Sequence, residues 1–405
     1  MQLGEQLYNV GGVVLPRPFK IRRLGHFGLN LLEMEEGLRF YRDLLGFKVS
    51  DELDFSKRAP DKVKGLGDPK GYFMRYGTDH HAFVIFNRRV REALDTTRRF
   101  GPEVTVNQIT WQCGSLGEIA RAYAFFKERG VEIQRVGRDM PGSNWHVYIY
   151  DPDGHTNELY YGIEQVGWQG MAKPLAMYDR GFRDLPPLPQ ISEETEVEEA
   201  RRNGVDIFSG LRAPERLPAK YDVDGVLLPR PFKITRIGPV KLFVHDVELA
   251  AAFYEETLGF VRSEEVIFRG HRCLYLRNGT EHHSLALIPK ALREALGLSP
   301  HTTLMGFGLE LASYQQLRDA LWWLKEQGAR FTELPPELSP GVDYHAHVLD
   351  PDGHCLTLYY YMEQVGWDGR PRRKAERRQI QEPWPETLPP LSDTYADQTF
   401  QGPWG

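Results

Sequence analysis

The sequence predicts an α+β protein built from four βαβββ modules in two pairs. The first observation is an internal repeat. Residues 12–21 (GVVLPRPFKI) recur with one change at 225–234 (GVLLPRPFKI), and residues 150–170 resemble 349–369. The second is that strand-like and helix-like segments follow one another in the same order twice within each half. With 405 residues, 41% of them hydrophobic, the chain can build several ordinary cores.

Each module is predicted to open with an alternating strand, followed by an amphipathic helix and three more strands. The segments of the first module are LGHFGLNLL, the helix over 34–47, GYFMRYG and HHAFVIF, with room for one more strand before GYFMRYG. Those of the second module are VTVNQITWQC, GEIARAYAFFKERG, VEIQRV, NWHVYIY and HTNELYY. The second half gives the same count, with helices predicted over 247–260 and 314–328.

Changes in composition predict four parts of the chain. They are a first domain over 1–170, a linker over 171–222, a second domain over 223–369 and a C-terminal arm over 370–405. The linker contains LPPLPQ and the acidic run SEETEVEEA, for which one short helix is expected. The arm contains EPWPETLPPL and FQGPWG, which we expect to contact a neighbouring subunit in a homo-oligomer.

Charge and cysteine content narrow the function classes. A formal charge of −6 gives no electrostatic reason to expect nucleic acid or an anionic membrane as partner. The three cysteines form no CxxC pair, which argues against a disulfide framework or a structural zinc site. No signal pattern or long apolar run is present, so we expect a cytoplasmic protein that acts on a small molecule.

Three polar positions of the first half are predicted to converge. Strand alternation places His26, Gln108 and Glu158 on polar faces of three different strands. If each pair of modules forms a cupped, partly open β-barrel with outer helices, imidazole, amide oxygen and carboxylate meet at its polar mouth. Nitrogen and oxygen donors with open positions suit Fe(II), Mn(II), Ni(II) or Zn(II) rather than a closed thiolate zinc site.

The second half lacks this set of residues. Pro239 stands at the place of His26, Thr357 at that of Glu158, and Gly306 at that of Gln108. A single histidine or glutamate in a strand is more often structural. Because the second half lacks both His26 and Glu158, however, the two residues are better explained as a functional pair. The sequence therefore predicts one metal, in the N-terminal half only.

Three stretches resemble a known family. LGHFGLNLLEMEEGLRFYRDLLGFKVSDE, TDHHAFVIF and DPDGHTNELYYG resemble the vicinal oxygen chelate superfamily, and within it the type I extradiol ring-cleaving dioxygenases of the catechol 2,3-dioxygenase and dihydroxybiphenyl dioxygenase kind. The resemblance covers roughly 24–162, with 237–362 as a decayed copy. It implies that the iron ligands fall on His26, Gln108 and Glu158. The family has a second histidine where this chain has Gln108, although glyoxalases of the same superfamily can use a glutamine ligand.

The resemblance also implies catalytic roles. His81 aligns with the family's acid/base histidine, and Tyr148 with a tyrosine that hydrogen-bonds the substrate oxygen. His146 and His81 are each candidates for the nitrogen ligand that Gln108 does not supply, whereas His80 is expected to cap or pack. DPDG, which occurs twice, predicts only a turn.

The resulting prediction is a non-haem Fe(II) extradiol dioxygenase of aromatic catabolism, acting on a catechol-like diol and O2. A metal-dependent lyase, isomerase or hydrolase of the same superfamily, with Zn, Mn or Ni, is an alternative that Gln108 favours. A non-catalytic small-molecule binding protein is a second alternative, against which the pair of His26 and Glu158 argues.

Overall fold

The computed structural model describes residues 6–95, 101, 103–138, 141–142, 144–167, 169–178, 183–184, 192–366 and 368–389. These residues form two eight-stranded mixed sheets, one in each half of the chain, and each sheet is preceded by a two-stranded hairpin. The α+β class and the pairing of βαβββ modules are confirmed. Each sheet is cupped and not closed into a barrel.

The N-terminal half contains a hairpin and a sheet. Its strands are β1 Tyr8–Val10, β2 Val13–Leu15, β3 Ile21–Leu31, β4 Lys48–Asp54, β5 Lys70–Arg75, β6 Phe83–Asn87, β7 Val106–Cys113, β8 Ile133–Arg138, β9 Trp145–Tyr150 and β10 Thr156–Tyr161. Its helices are α1 Met34–Leu38, α2 Pro60–Val63, α3 Arg88–Leu94 and α4 Leu116–Glu128. The strand order is β4-β5-β6-β3-β7-β10-β9-β8, so the two modules join through the antiparallel pair β3–β7.

Two helices follow in the connecting segment, and the C-terminal half then repeats the pattern. The helices are α5 Leu175–Tyr178, α6 Glu193–Arg202, α7 Val247–Ala252 and α8 Tyr314–Glu326. The strands are β11 Tyr221–Val223, β12 Val226–Leu228, β13 Ile234–Val244, β14 Val261–Phe268, β15 His271–Arg277, β16 Leu285–Pro289, β17 Leu304–Leu311, β18 Arg330–Thr332, β19 His345–Leu349 and β20 Cys355–Tyr359. The strand order matches that of the first sheet.

The two halves differ between their second and third sheet strands. In the N-terminal half, residues 55–69 form a short 3₁₀ turn and α2, whereas β14 and β15 are joined by a tight turn. Phe55 and Val63 of this extra segment are buried against Phe73, Val84 and Phe86. The segment therefore covers one side of the N-terminal cup.

The helices follow from apolar spacing and capping. Ser115 begins α4 by accepting a hydrogen bond from the backbone nitrogen of Glu118, and Ile119, Ala122 and Phe126 are buried along one face. The predicted helices over 34–47 and 247–260 are present, but their second parts, Arg39–Leu44 and Phe253–Leu258, are π-helical turns rather than α-helix.

The DPDG segments are turns, and they also join the two halves. The Asp151 carboxylate accepts from Tyr254 Oη at 2.9 Å and lies 2.9 Å from His155 Nδ1. His155 Nε2 lies 2.9 Å from Thr303 Oγ1. In the second copy, the Asp350 carboxylate accepts from Tyr41 Oη and contacts His354, and His354 Nε2 contacts Thr105 Oγ1. Here the turn belongs to the C-terminal half, and its partners Tyr41 and Thr105 belong to the N-terminal half. We call these eight residues the paired clasps.

The LPRPFK repeat has a reciprocal role as well. Arg230 donates to the backbone oxygens of Asp43 and Arg42, at the end of the first π-helical turn. Its counterpart Arg17 lies against Gly259, at the end of the second. Each half thus places an arginine on the helix of the other.

Other predictions concern the remaining segments. The acidic run of the linker forms α6, as expected, whereas LPPLPQ and FQGPWG lie outside the described residues. The three cysteines are buried and unbonded. Among the helices of the described residues, none is long and apolar enough to span a membrane.

Candidate metal centre

A row of five side chains crosses the N-terminal sheet. The strand register pairs Arg135 with Tyr148, Tyr148 with Glu158, Glu158 with Thr110, and Thr110 with His26. Residues directly opposite each other on neighbouring strands project from the same face of the sheet. This register brings the histidine of the first module close to the glutamate of the second.

Glu158 is the centre of the resulting cluster. Its Oε2 atom lies 3.1 Å from His26 Nε2 and accepts hydrogen bonds from Thr110 Oγ1 at 2.8 Å and Gln108 Nε2 at 3.3 Å. Its Oε1 atom accepts from Asn144 Nδ2 at 2.7 Å. The structure therefore brings together the three residues that the sequence nominated as ligands.

The surroundings keep the Glu158 carboxyl ionised. Burial alone would raise its pKa, but the charge and hydrogen bond of His26, followed by His146 and Tyr148, lower the pKa to about 2. A carboxylate that is 0% exposed requires a compensating cation. The position of this negative charge suits a divalent metal ion.

The donor set fits such an ion. His26 offers an imidazole nitrogen and Glu158 a carboxylate oxygen, both suited to Fe(II), Mn(II) or Zn(II). Gln108 directs its amide nitrogen at Glu158, and a half-turn of the amide would present its oxygen instead. Thr110 and Asn144 would remain as donors that orient the carboxylate.

Neither substitute histidine completes a conventional ligand set. Within the described ranges, no group of three or more His, Cys, Asp or Glu side chains is placed to hold a metal ion. His146 Nδ1 lies 3.7 Å from Glu158 Oε1, and the His81 ring centroid lies 4.4 Å from that of His26. Gln108 is consequently the third ligand candidate with the most direct contact to Glu158.

His81 lies beside the cluster as a neutral imidazole. Burial, reinforced by the neighbouring His26 and His80, holds the pKa of His81 well below its usual range. Its Nδ1 atom lies 3.1 Å from His80 Nδ1, and His80 Nε2 lies 3.4 Å from Asp51 Oδ2. A neutral imidazole can accept a proton, which is what the predicted acid/base role requires.

The pair His80–His81 recurs in the second half. There the Nδ1 atoms of His282 and His283 are 3.0 Å apart, and His282 Nε2 lies 2.8 Å from Glu264 Oε2. The hydrogen bond between consecutive histidines is thus part of the shared framework. This recurrence agrees with the packing role expected for His80.

The cluster lies at the bottom of a cleft of about 210 Å³. His26 and Glu158 are 1% and 0% exposed, so the expectation that they lie at a polar mouth was wrong. The lining of the cleft combines polar, apolar and cationic side chains. The lining residues are the buried polar or aromatic His26, His81, Asn107, Gln108, Asn144 and Tyr148, the apolar Leu53, Phe55, Phe73, Phe86 and Pro141, and the half-buried or exposed Arg58, Arg91, Arg135 and Arg183.

The C-terminal cup contains a different arrangement. Lys241, opposite Gly306 in the register, donates through Nζ to Leu338 O at 3.0 Å and Ser339 Oγ at 2.9 Å. Burial lowers the pKa of Lys241 to about 8. Thr357 lies 3.1 Å from His347 and offers no carboxylate. Lys241 stands at the place of Gly28, so this cup has gained an amine where it has lost the carboxylate, and both changes disfavour a second metal ion.

Two contributors to the cluster were not nominated from the sequence. Thr110 shares its strand face with Gln108, so alternation contained a signal for it. Asn144 precedes β9 in an irregular segment, where no periodicity places a side chain. Its contact with Glu158 depends on how the chain enters that strand.

The fold and the site together define a class: a two-domain protein of paired βαβββ modules with a buried nitrogen- and oxygen-donor cluster in one cup. The model of the Glyoxalase/Bleomycin resistance protein/Dioxygenase superfamily matches residues 23–159 and 236–358. The chain belongs to this superfamily, which is the vicinal oxygen chelate superfamily indicated by the sequence. Both halves match, including the one that lacks counterparts of His26 and Glu158.

Individual relatives are more distant. Metapyrocatechase 2 of Cupriavidus necator is 25% identical over 42% of this chain, and the match covers 46% of that protein, less than half its length. The 2,3-dioxygenase LapB from Pseudomonas sp. KL28 has a TM-score of 0.53 at 16% identity, covering 87% of this chain and 96% of that one. The Mn(II)-bound glyoxalase from Novosphingobium aromaticivorans has a TM-score of 0.53 at 15% identity, covering 86% and 85%. The solved structures share the fold.

Proposed function

We propose that the N-terminal half is an extradiol-type dioxygenase site, in which His26, Gln108 and Glu158 hold Fe(II) and a catechol-like ring is cleaved by O2. The observation that supports this most directly is the convergence of His26 and Gln108 on the buried carboxylate of Glu158 at the bottom of a cleft. The similarity to Metapyrocatechase 2 agrees with it.

The side chains have separable roles in this proposal. The chemistry that iron supplies when bound is chelation of two vicinal oxygens and activation of O2. His81, neutral because of its burial, accepts the proton of a diol hydroxyl and later returns it to an oxygen of the opening ring. Tyr148, which touches the cluster through Glu158, donates a hydrogen bond to the ring oxygen.

The walls of the cleft orient the ring and exclude water. Phe55, Phe73 and Phe86 line the cleft and contact one another, which gives an aromatic surface that suits the flat face of a substrate ring. In the proposed reaction the carbon–carbon bond next to the diol breaks and both atoms of O2 enter the product, a muconic semialdehyde-type compound. No further oxidant or reductant is needed.

Gln108 favours one alternative. An amide oxygen is a weaker donor to iron than imidazole, so a lyase, isomerase or hydrolase using Mn, Zn or Ni is the second candidate function. The Mn(II)-bound glyoxalase shares the fold at 15% identity. His81 and Tyr148 are the features that favour the dioxygenase.

The deciding experiment combines metal analysis with a substrate screen. Protein purified without oxygen should contain about one Fe(II) per chain and should turn a subset of catechols into yellow ring-fission products with stoichiometric O2 uptake. Manganese, zinc or nickel in place of iron, with no O2 uptake for any catechol, would support the alternative. No bound metal in any preparation would point to a binding protein.

A further inference from the structure

We propose that a cavity between the two halves is a second binding site, which takes one neutral aromatic ring bearing a hydroxyl group, and that His283 Nε2 accepts the hydrogen bond of that hydroxyl. The cavity lies between residues 22–24 of β3 and residues 235–239 of β13, and we call it the junction cavity. It is separate from the cleft of the candidate metal centre, so the inference does not rest on the proposed function.

The size and the lining of the junction cavity suit a single ring. Its volume is about 170 Å³, and an apolar cavity of about 150 Å³ is large enough for benzene. Apolar side chains come from both halves, namely Leu24, Tyr76, Ile237, Pro239 and Met362. Thr235, which also lines the cavity, is exposed, so a ligand can enter from solvent. One ring with one small substituent therefore fits.

Two polar atoms of the lining call for a ligand. His283 is 1% exposed, and among the described residues its Nε2 atom has no hydrogen-bond partner. Asn278 Nδ2 is a second buried atom of the lining that has no partner in the part of the chain that the structure describes. Because an unpaired buried polar group is unfavourable, both atoms favour a ligand that forms hydrogen bonds with them.

The hydrogen bonds behind His283 determine what Nε2 requires. Burial alone would raise the pKa of Glu264, but hydrogen bonds from His282 and Arg377 lower it to about 2, so this carboxylate is ionised. His282 Nε2, 2.8 Å from Glu264 Oε2, therefore donates to it. With both rings neutral, His282 Nδ1 accepts from His283 Nδ1 at 3.0 Å, and His283 Nε2 carries a lone pair. The missing partner is a hydrogen-bond donor.

The charged groups of the lining favour a neutral ligand. Each arginine of the lining has an acidic partner, in the pairs Arg22–Glu118, Arg23–Asp79 and Arg236–Glu310, at 3.9, 2.6 and 3.4 Å. Glu281 adds a carboxylate that would repel an anionic ligand. A hydroxyl group is neutral, donates to a lone pair such as that of His283 Nε2, and accepts from an amide such as that of Asn278.

The internal repeat explains why the junction cavity reaches His283. In the first half the rings of His81 and His26 are 4.4 Å apart. Pro239 stands at the place of His26, so His283 lacks this contact, and Asn278 in RNGTEHH stands at the place of the tyrosine in RYGTDHH. Both replacements are smaller than the residues they match. They leave space beside a histidine that the second half has kept.

The first test concerns the hydrogen bond to His283. Calorimetric titration of the full chain should show saturable binding of phenol, and His283→Phe should weaken it about tenfold, since the variant keeps a ring but has no acceptor. Binding of anisole, which has no O–H group, should not be weakened by the same change. An equal loss for both ligands, or tighter binding of benzoate than of phenol by the parent, would overturn the inference.

The second test locates the ligand. Asn278→Tyr fills the junction cavity with the side chain that the first half carries at this place, so phenol binding should be lost with an unchanged circular dichroism spectrum. Asn203→Tyr, at the exposed end of α6, is the matched control and should bind phenol normally. Crystals of the parent soaked in 4-bromophenol should show anomalous bromine density between β3 and β13. Bromine density only in the N-terminal cleft, or phenol binding that survives Asn278→Tyr, would overturn the inference.

Discussion

Glu158 is the residue on which the candidate metal centre depends. Glu158→Gln preserves the volume but removes the charge that His26 and Gln108 surround, so metal retention should fall by at least about tenfold, the lower range for changes around a bound metal. Metal content per chain after dialysis against a chelator measures this. Thr357→Val, at the matching place in the second half, should leave the content at one per chain. Two metal ions per chain in the parent would contradict the assignment.

His81 is expected to affect turnover and not metal binding. Replacing His81 with Gln removes the proton acceptor beside His26 while leaving both proposed ligands, so kcat should fall roughly 10²- to 10⁴-fold with normal metal content. Stopped-flow assays alongside metal analysis separate the two effects. Loss of the metal in this variant would identify His81 as a ligand, and an unchanged rate would remove it from the mechanism.

Gln108 decides between iron and the alternative chemistry. Gln108→His introduces the stronger imidazole donor, so iron should bind more tightly and ring cleavage should be kept or increased. If the site serves another metal, the same change should damage the native reaction while the metal stays bound. Titration of metal-free protein with Fe(II), compared with the parent, measures the first outcome directly. Gln108→Ala with normal metal retention would show that the amide contacts substrate only.

At the level of elements, strand alternation was the informative signal. It placed His26, Gln108 and Glu158 on the correct strand faces, because side-chain direction in a strand follows directly from residue number. It could not locate Asn144, whose position depends on an irregular entry into β9. Nor could it show that the candidate ligands His26 and Glu158 are fully buried, since burial depends on how the segments around the sheet pack on it.

The repeated motifs show the same limit. DPDGH and LPRPFK identified the repeat, and their local turns were predictable from composition. Their partners were not, because Tyr254, Thr303 and Gly259 lie in the other half of the chain, about a hundred or more residues away. Contacts between halves depend on how the two sheets pack, and local sequence does not specify that packing.

The contact between Arg17 and Gly259 gives a prediction at the scale of structural elements. Gly259 has φ +86°, and a Cβ there would lie 1.9 Å from Arg17 Nε, so Gly259→Ala must both strain the backbone and displace the arginine. Gly270, with φ +80° and open space around it, is the matched control. We expect Gly270→Ala to cost about 1–2 kcal/mol for the left-handed backbone, and Gly259→Ala about 1 kcal/mol more, at the low end for overpacking, because the end of the Arg17 side chain can move aside. Urea unfolding measures both.

If the two variants are equally stable, Arg17 does not stabilise the contact between halves. Adding Arg17→Ala to Gly259→Ala should remove the steric part of the loss and leave the backbone part. The double variant should then be less stable than Arg17→Ala by about as much as Gly270→Ala is less stable than the parent, which separates crowding from strain.

At the scale of the whole molecule, the two halves depend on each other through buried charge. The N-terminal half holds the candidate site, while the C-terminal half supplies Tyr254 and Thr303 to one of the paired clasps and Asp350 and His354 to the other. Phe307 extends the contact by packing at 5.0 Å on Phe27, next to His26 in β3. The half without the candidate ligands therefore packs against the strand that bears His26.

The clasps make this support dependent on pH. Burial alone would lower the pKa of His155 and of His354, but the adjacent carboxylates of Asp151 and Asp350 outweigh it and raise both above the usual 6.5. A raised pKa in the folded state means that the protonated histidine stabilises the fold. The contribution is complete below pH 6.5 and is lost as pH rises through the folded-state pKa. His81 and His283, whose pKa values burial lowers, act in the opposite direction.

The prediction therefore concerns the difference in free energy of unfolding between a variant and the parent, and not the pH dependence of either protein alone. His155→Gln/His354→Gln should lower the free energy of unfolding by roughly 1–3 kcal/mol at pH 6, the cost of losing buried charge-assisted hydrogen bonds, and by less at pH 8.5. Urea unfolding across that range measures it, with the exposed His301→Gln as control. The buried His81 and His283 are common to both proteins, so their effect cancels in the difference. A deficit that stays constant with pH would mean that these histidines are neutral in the folded chain and act through packing alone.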